Sequence, residues 1–195
     1  MEKKAQLLTG ILIVFGVILL ICLMVFFWFI GTYNSLVQVD TSTEKAWGNV
    51  QTSYQRRVDL IPNLVNTVKG SVKFEKETQT EIAKLRSGVS NAKTPSELDN
   101  VGKSMNGLIS NLIVSVEAYP DLKSSQNFLA LQDELAGTEN RINYERNNYN
   151  DAVKSYKTRV RTFPSNIIAG MFGFNLDKWD MFEASSNEVP EVNFE

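Results

Sequence analysis

The side chains of this 195-residue chain that could do chemistry are carboxylates, arginines and amides lying close to the apolar positions of its helical repeats. They are Arg56, Arg57, Asp59, Asn63, Glu75, Glu117, Glu139, Asn140, Arg146 and Asn150. Inward-facing glutamates on a helical bundle can hold a di-metal centre, but that design pairs them with histidine in a Glu-x-x-His spacing. The chain has no histidine, so the design collapses. The same absence removes the usual general base near neutral pH. The single cysteine, Cys22, lies inside an apolar run, which rules out an intrachain disulfide and any Cys/His zinc site. Asp99, Asn100 and Gly102 are not followed by the bidentate glutamate of a calcium loop. Glycine-rich phosphate cradles and nucleophile elbows are absent.

The alternative is structural. Arginines and carboxylates taken out of water must pair to offset desolvation, and such pairs can set helix register. Pairing and capping networks are therefore expected of these residues, with an all-carboxylate magnesium or calcium site as the remaining alternative. Thr158-Arg159-Val160-Arg161 reads as a solvated basic face. No catalytic, cofactor-binding or metal-ligating residue is expected, and no cofactor. A formal net charge of −2, with both signs interspersed, gives no basic stripe for nucleic acid.

The elements that would position these residues begin with an anchor. From Leu7 to Ile30 no residue is charged, a length of about 36 Å as a helix against a hydrocarbon core of about 30 Å. Trp28 and Tyr33 stand near its far end, where amphipathic rings favour the membrane interface. The run is too long for a cleaved signal peptide, and no alanine occurs between Ala5 and Ala46 to form a cleavage site. Leu20-Ile21-Cys22 puts a bulky side chain where a lipidation signal needs a small one. Lys3 and Lys4 precede the span, whereas Lys45 is the first basic residue after it. The positive-inside rule then leaves residues 1–6 cytoplasmic and the remainder outside.

After residue 31 no strand-like alternation appears. Apolar residues recur three and four apart at Val50, Tyr54, Val58, Ile61, Val65, Val68 and Val72, then at Ile82, Leu85 and Val89, one face of an amphipathic helix. The unbroken phase favours a continuous helix kinked at Pro62 over a second helix opening there. Thr94 or Ser96, with Pro95 and Glu97, marks the start of a helix to about Tyr119; Pro120 ends it, and Asp121-Leu122-Lys123 forms a turn. A last long helix is expected from about Ser124 to Phe163, closed by Pro164. The fold class is thus all-α: a transmembrane helix over residues 7–30, then an antiparallel, four-helix-type bundle over residues 31–163. Residues 164–183 are expected to form an apolar cap over the open end of the bundle, with a membrane-contacting or self-associating patch as the alternative. Residues 184–195 are expected to be a disordered acidic tail.

Three stretches carry a family resemblance. The first is Tyr33-Asn34-Ser35-Leu36-Val37. The second, and most specific, is Arg56-Arg57-Val58-Asp59-Leu60-Ile61-Pro62-Asn63-Leu64-Val65, with Val68-Lys69-Gly70 and Glu75. The third is Glu117-Ala118-Tyr119-Pro120-Asp121-Leu122-Lys123, followed by Asn127-Phe128, Leu131-Gln132, Thr138-Glu139-Asn140-Arg141-Ile142, Tyr149-Asn150 and Phe163-Pro164. Over roughly residues 31–183 the chain resembles the LemA family of bacterial membrane proteins. The resemblance implies a prokaryotic source, an N-terminal anchor, an antiparallel helical bundle and no established activity. Phe74 departs from the pattern, since relatives often carry histidine before the glutamate. The expected function is a non-enzymatic structural or interaction scaffold at the bacterial plasma membrane. Its partners would be the lipid bilayer, further copies of itself and other envelope proteins, with a sensor or adaptor under envelope stress as the alternative.

Overall fold

The computed structural model describes residues 2–68 and 76–183. Among these residues there is no strand. The elements are α1 (Glu2–Val68), α2 (Lys76–Asn91), α3 (Pro95–Val116), α4 (Pro120–Lys123), α5 (Gln126–Arg161) and α6 (Ser165–Phe172), followed by a 3-10 turn at Leu176–Lys178. The expected positions at Gly70, Phe74 and Glu75 and the expected tail at 184–195 lie outside the described residues.

Helix α1 is a single element of 67 residues with Pro62 inside it. Proline lacks the N–H that would bond the carbonyl of Val58 and its ring crowds that turn, at a cost of roughly 3 kcal/mol. Complete burial of Val58, Ile61 and Leu64 around it offsets that cost. The N-terminal part of α1 is long and apolar enough to cross a membrane, and none of its apolar stretch is buried.

The helices gather into two compact units. One comprises Thr43–Val153 together with the residues from Trp179 onward. Within it, long-range pairs give the directions. Arg57 pairs with Glu139 and Arg56 with Glu134, while the Thr43 hydroxyl bonds the Ala152 carbonyl, so α5 runs antiparallel to α1. Asp59 meets Arg86, and Gln51 donates to the carbonyls of Val89 and Ala92, so α2 also runs back along α1. Asp99 meets Arg146, setting α3 against α5. The result is an antiparallel four-helix bundle around Val50, Val58, Ile61, Leu64, Leu98, Met105, Leu112, Phe128 and Tyr149.

One expectation is corrected here. The described residues of the apolar repeat, Val50 to Val68 and Ile82 to Val89, belong to two helices and not one, since α2 runs back along α1; Val72 lies outside the described residues. Both helices face the same core, so the repeat shows no change across the reversal. The choice between Thr94 and Ser96 is also resolved. Thr94 caps α3 in a capping box, its hydroxyl accepting from the Glu97 amide while the Glu97 carboxylate accepts from the Thr94 amide. The expected turn at 121–123 is the short helix α4, opened by Pro120.

The other unit comprises residues up to Ser42 together with Lys154–Lys178. Its buried side chains include Leu36, Tyr156, Val160, Ser165, Ile168 and Ala169. Helix α6 buries the i, i+3, i+4 stripe Ser165, Ile168 and Ala169. It ends at Gly173, whose φ of 76° is left-handed and suits glycine. The Phe172 ring lies 4.9 Å from Tyr33 and 5.9 Å from Phe29. Farther along, Lys178 pairs with Asp40 at 2.6 Å, and the Tyr156 hydroxyl donates to the Asn175 carbonyl at 3.0 Å. Val160 is buried and Arg159 half-buried, so residues 158–161 are not the uniformly solvated face expected of them.

Two measurements test this packing. A Cβ on Gly88 would stand 2.8 Å from Val101 Cγ2. Gly88→Ala should therefore fail to deliver the ~1 kcal/mol that alanine usually gains in a helix. In a Val101→Ala background the same change should be stabilising, as read by chemical denaturation. Burial, helped by the Asp40 carboxylate, pushes the Tyr156 hydroxyl up to about 12. Because the folded value exceeds the unfolded one of about 10, the neutral phenol's contribution is complete below about pH 10 and is lost as pH rises through about 12. Tyr156→Phe should cost about 1 kcal/mol at neutral pH through the lost hydrogen bond, while flattening the alkaline loss of stability across that window.

Candidate functional site

Among the described residues, the bundle unit holds a polar hollow. It is a cavity of about 390 Å³ lined by Tyr54, Arg57, Asp99, Lys103, Glu139, Arg146 and Glu183, among others. Helix α1 brings Tyr54 and Arg57 to it on successive turns, α3 brings Asp99 and Lys103, and α5 brings Glu139 and Arg146. The spacing of three to seven residues along each helix is what puts these groups on common faces.

The chemistry of the lining is that of closed ion pairs. Arg57 is buried and pairs with Glu139 across α1 and α5. Loss of water lowers its guanidinium from the ordinary arginine value. Arg146 forms a two-pronged contact with Asp99, at 3.0 Å between Nη1 and Oδ1 and 3.3 Å between Nη2 and Oδ2. It also donates to the Glu183 carbonyl and lies 4.5 Å from the centre of the Phe182 ring. Burial raises the Tyr54 hydroxyl above its ordinary value, against the pull of the neighbouring Arg146. The phenol, held neutral, accepts from the Arg146 guanidinium, which has only donors to offer. Among the described residues, no three His, Cys, Asp or Glu side chains converge on a point where a metal ion could be held.

The described residues singled out from the sequence divide into three sets. Arg57, Glu139 and Arg146 come together around the cavity. Asn150 lies farther along α5 and is half-buried, its side chain donating to the Phe182 carbonyl at 3.1 Å and accepting from the Phe182 amide at 2.9 Å. Arg56, Asp59, Asn63, Glu117 and Asn140 are exposed, not near-core as expected, because each falls off the buried stripe of its helix. Arg56 and Asp59 still join helices through Glu134 and Arg86, and Glu117 pairs weakly with Lys123. Asp99 and Gly102, considered above for calcium, lie within α3, where Asp99 serves Arg146.

Sequence reasoning missed the role of Trp47, Tyr149 and Phe182. The Phe182 ring stacks on Trp47 at 6.0 Å and meets Tyr149 edge-on at 5.6 Å. With the Asn150 clamp and Arg146, these rings fasten the segment after Trp179 to the bundle. Its local signal was the aromatic pair Trp179 and Phe182 beyond the last helix. The partners are remote in sequence and gave none.

A family model described as the LemA family matches residues 46–194. Protein LemA of Metamycoplasma hominis is 27% identical over 172 residues, covering 86% of this chain and 75% of that protein. The magnetosome proteins MamQ 1 and MamQ 2 of Paramagnetospirillum magneticum are each 25% identical over 168 residues. Those alignments cover 73% of this chain and span 62% of the MamQ proteins.

The Arg57–Glu139 pair can be tested for its structural part. Glu139→Ala leaves a buried guanidinium without its counter-charge and should destabilise the fold by about 1–3 kcal/mol, the lower end reflecting the partial exposure of Glu139. Replacing both groups, with Arg57→Met and Glu139→Leu, should recover most of that loss. Equal destabilisation by the single and double variants in urea denaturation would refute the pairing.

Proposed function

The chain belongs to the LemA family, and from that premise we propose that it is a membrane-anchored, non-enzymatic scaffold at the bacterial cell envelope that works by self-assembly. The observation that carries the reading is the continuity of α1. One helix holds both the apolar stretch suited to lipid and the core residues Val50, Val58, Ile61 and Leu64. Such a helix ties a folded bundle to a bilayer without an intervening linker.

Other features support the non-enzymatic part. Four of the charges lining the polar cavity are paired across helices, Arg57 with Glu139 and Asp99 with Arg146. Self-assembly is supported by large apolar side chains left on the outside of the bundle unit, among them Val114, Leu129 and Tyr144. The basic flank Lys3 and Lys4 supports a cytoplasmic N-terminus with the bundle outside. The adaptor reading, in which the bundle recruits one envelope partner, draws on the same exposed side chains.

The full chain extracted in mild detergent should sediment at several times the 22.0 kDa of one copy. A clean monomer at micromolar concentration overturns self-assembly. Crosslinking in cells separates the two readings, since a ladder of self-multiples supports the scaffold and one dominant heterologous adduct supports the adaptor.

A further inference from the structure

Helix α6 leaves an apolar face uncovered. Its inner stripe is buried, yet Ile167 is 55% exposed and Met171 69%, and Phe163 just before the helix is 76% exposed. No charged side chain occurs from Thr162 to Leu176, whereas Arg159 and Arg161 precede that stretch and Asp177 and Lys178 follow it. A surface helix facing water normally carries charge on its outer side. This one carries asparagine, isoleucine, glycine and methionine, none of them charged.

Its position along α1 identifies what covers that face. Phe172, at the end of α6, rests on Phe29 and Tyr33, where the apolar run of α1 finishes. The chain then climbs, because Lys178 reaches Asp40, which is seven residues beyond Tyr33 along α1 and about 10 Å higher by helical rise. Helix α5 comes down to the same level. Tyr156 lies beside Asp40, and its last turn holds Arg159 and Arg161. Helix α6 therefore ends at the level where the apolar run of α1 finishes, against Phe29 and Tyr33, with Arg159 and Arg161 shortly before it in the chain.

We propose that α6 is an interfacial helix. Its Ile167–Met171 face and Phe163 enter the headgroup and upper acyl region of the leaflet from which α1 emerges. The occupant of the uncovered face is lipid, because α6 packs through Phe172 on Phe29 and Tyr33, at the end of the α1 stretch whose Phe26, Phe27 and Ile30 are themselves uncovered. The chain then grips the bilayer at two places, one spanning and one lying in the surface. The inference rests on the reading of α1 as the membrane anchor.

The test uses the full chain in vesicles of mixed phosphatidylcholine and phosphatidylglycerol. Met171→Cys in a Cys22→Ser background carries an environment-sensitive fluorophore, and Phe163→Cys serves as a second site should the first disturb packing. Nitroxide-labelled lipid should quench either label several-fold more than aqueous iodide does. The wild-type chain labelled at its native Cys22 reports the anchor separately. If Cys22 is quenched by lipid but residues 163 and 171 respond to iodide, α6 faces water and the inference is overturned while the anchor stands. If neither quencher reaches residue 171, another protein surface covers it, which also overturns the inference. If Cys22 itself is untouched by lipid, the anchor reading fails first.

Discussion

As a membrane anchor, the reading proposed above, helix α1 must satisfy two solvents with one backbone. Between residues 10 and 30 its side chains are apolar on every side, and lipid offers an amide no partner beyond the helix itself. From Thr43 onward the same backbone has one apolar stripe, which water would penalise unless other helices covered it. Helix α2, the capped α3 and the long α5 are the cover. Each returns a stripe of leucine, isoleucine, valine or an aromatic ring to the residues α1 exposes. Even Pro62 fits this account, because burial of the turn around it supplies what the missing hydrogen bond withholds.

The paired charges do a different kind of work. Buried or half-buried ion pairs contribute little net stability, since the attraction is spent on desolvation. Their value here is geometric. Arg57 and Glu139 are 82 positions apart, and Asp99 and Arg146 are 47 apart. Each pair joins different helices and can close only when those helices are aligned in one register. A slip of one turn would leave an arginine facing leucine. The bundle therefore specifies its alignment with charge and its cohesion with apolar area.

Much of this was legible in the sequence, and the failures have physical causes. Pro120, Pro164 and the Thr94-Pro95-Ser96-Glu97 stretch announced helix boundaries because proline and capping side chains act locally. The reversal between Val68 and Lys76 was hidden because helices on either side of a turn can serve the same core with the same three-and-four spacing. Arg56, Asp59 and Asn63 were placed too far inward. One residue turns a helix by about 100°, so an error of one position moves a side chain from core to water. The docking of Phe182 was illegible for the opposite reason, since Trp47 and Asn150 are its partners only after the fold has formed.

That docking has a further meaning. Asn150 offers an amide donor and a carbonyl acceptor to the N–H and C=O of a single residue, as a neighbouring strand would in one rung of a ladder. A protein with no described strand thus holds part of its C-terminal segment by sheet-like grammar, supplied from the flank of a helix. The main chain is recognised through the amide and the side chain through the rings, so affinity and identity are read by separate parts of the same grip.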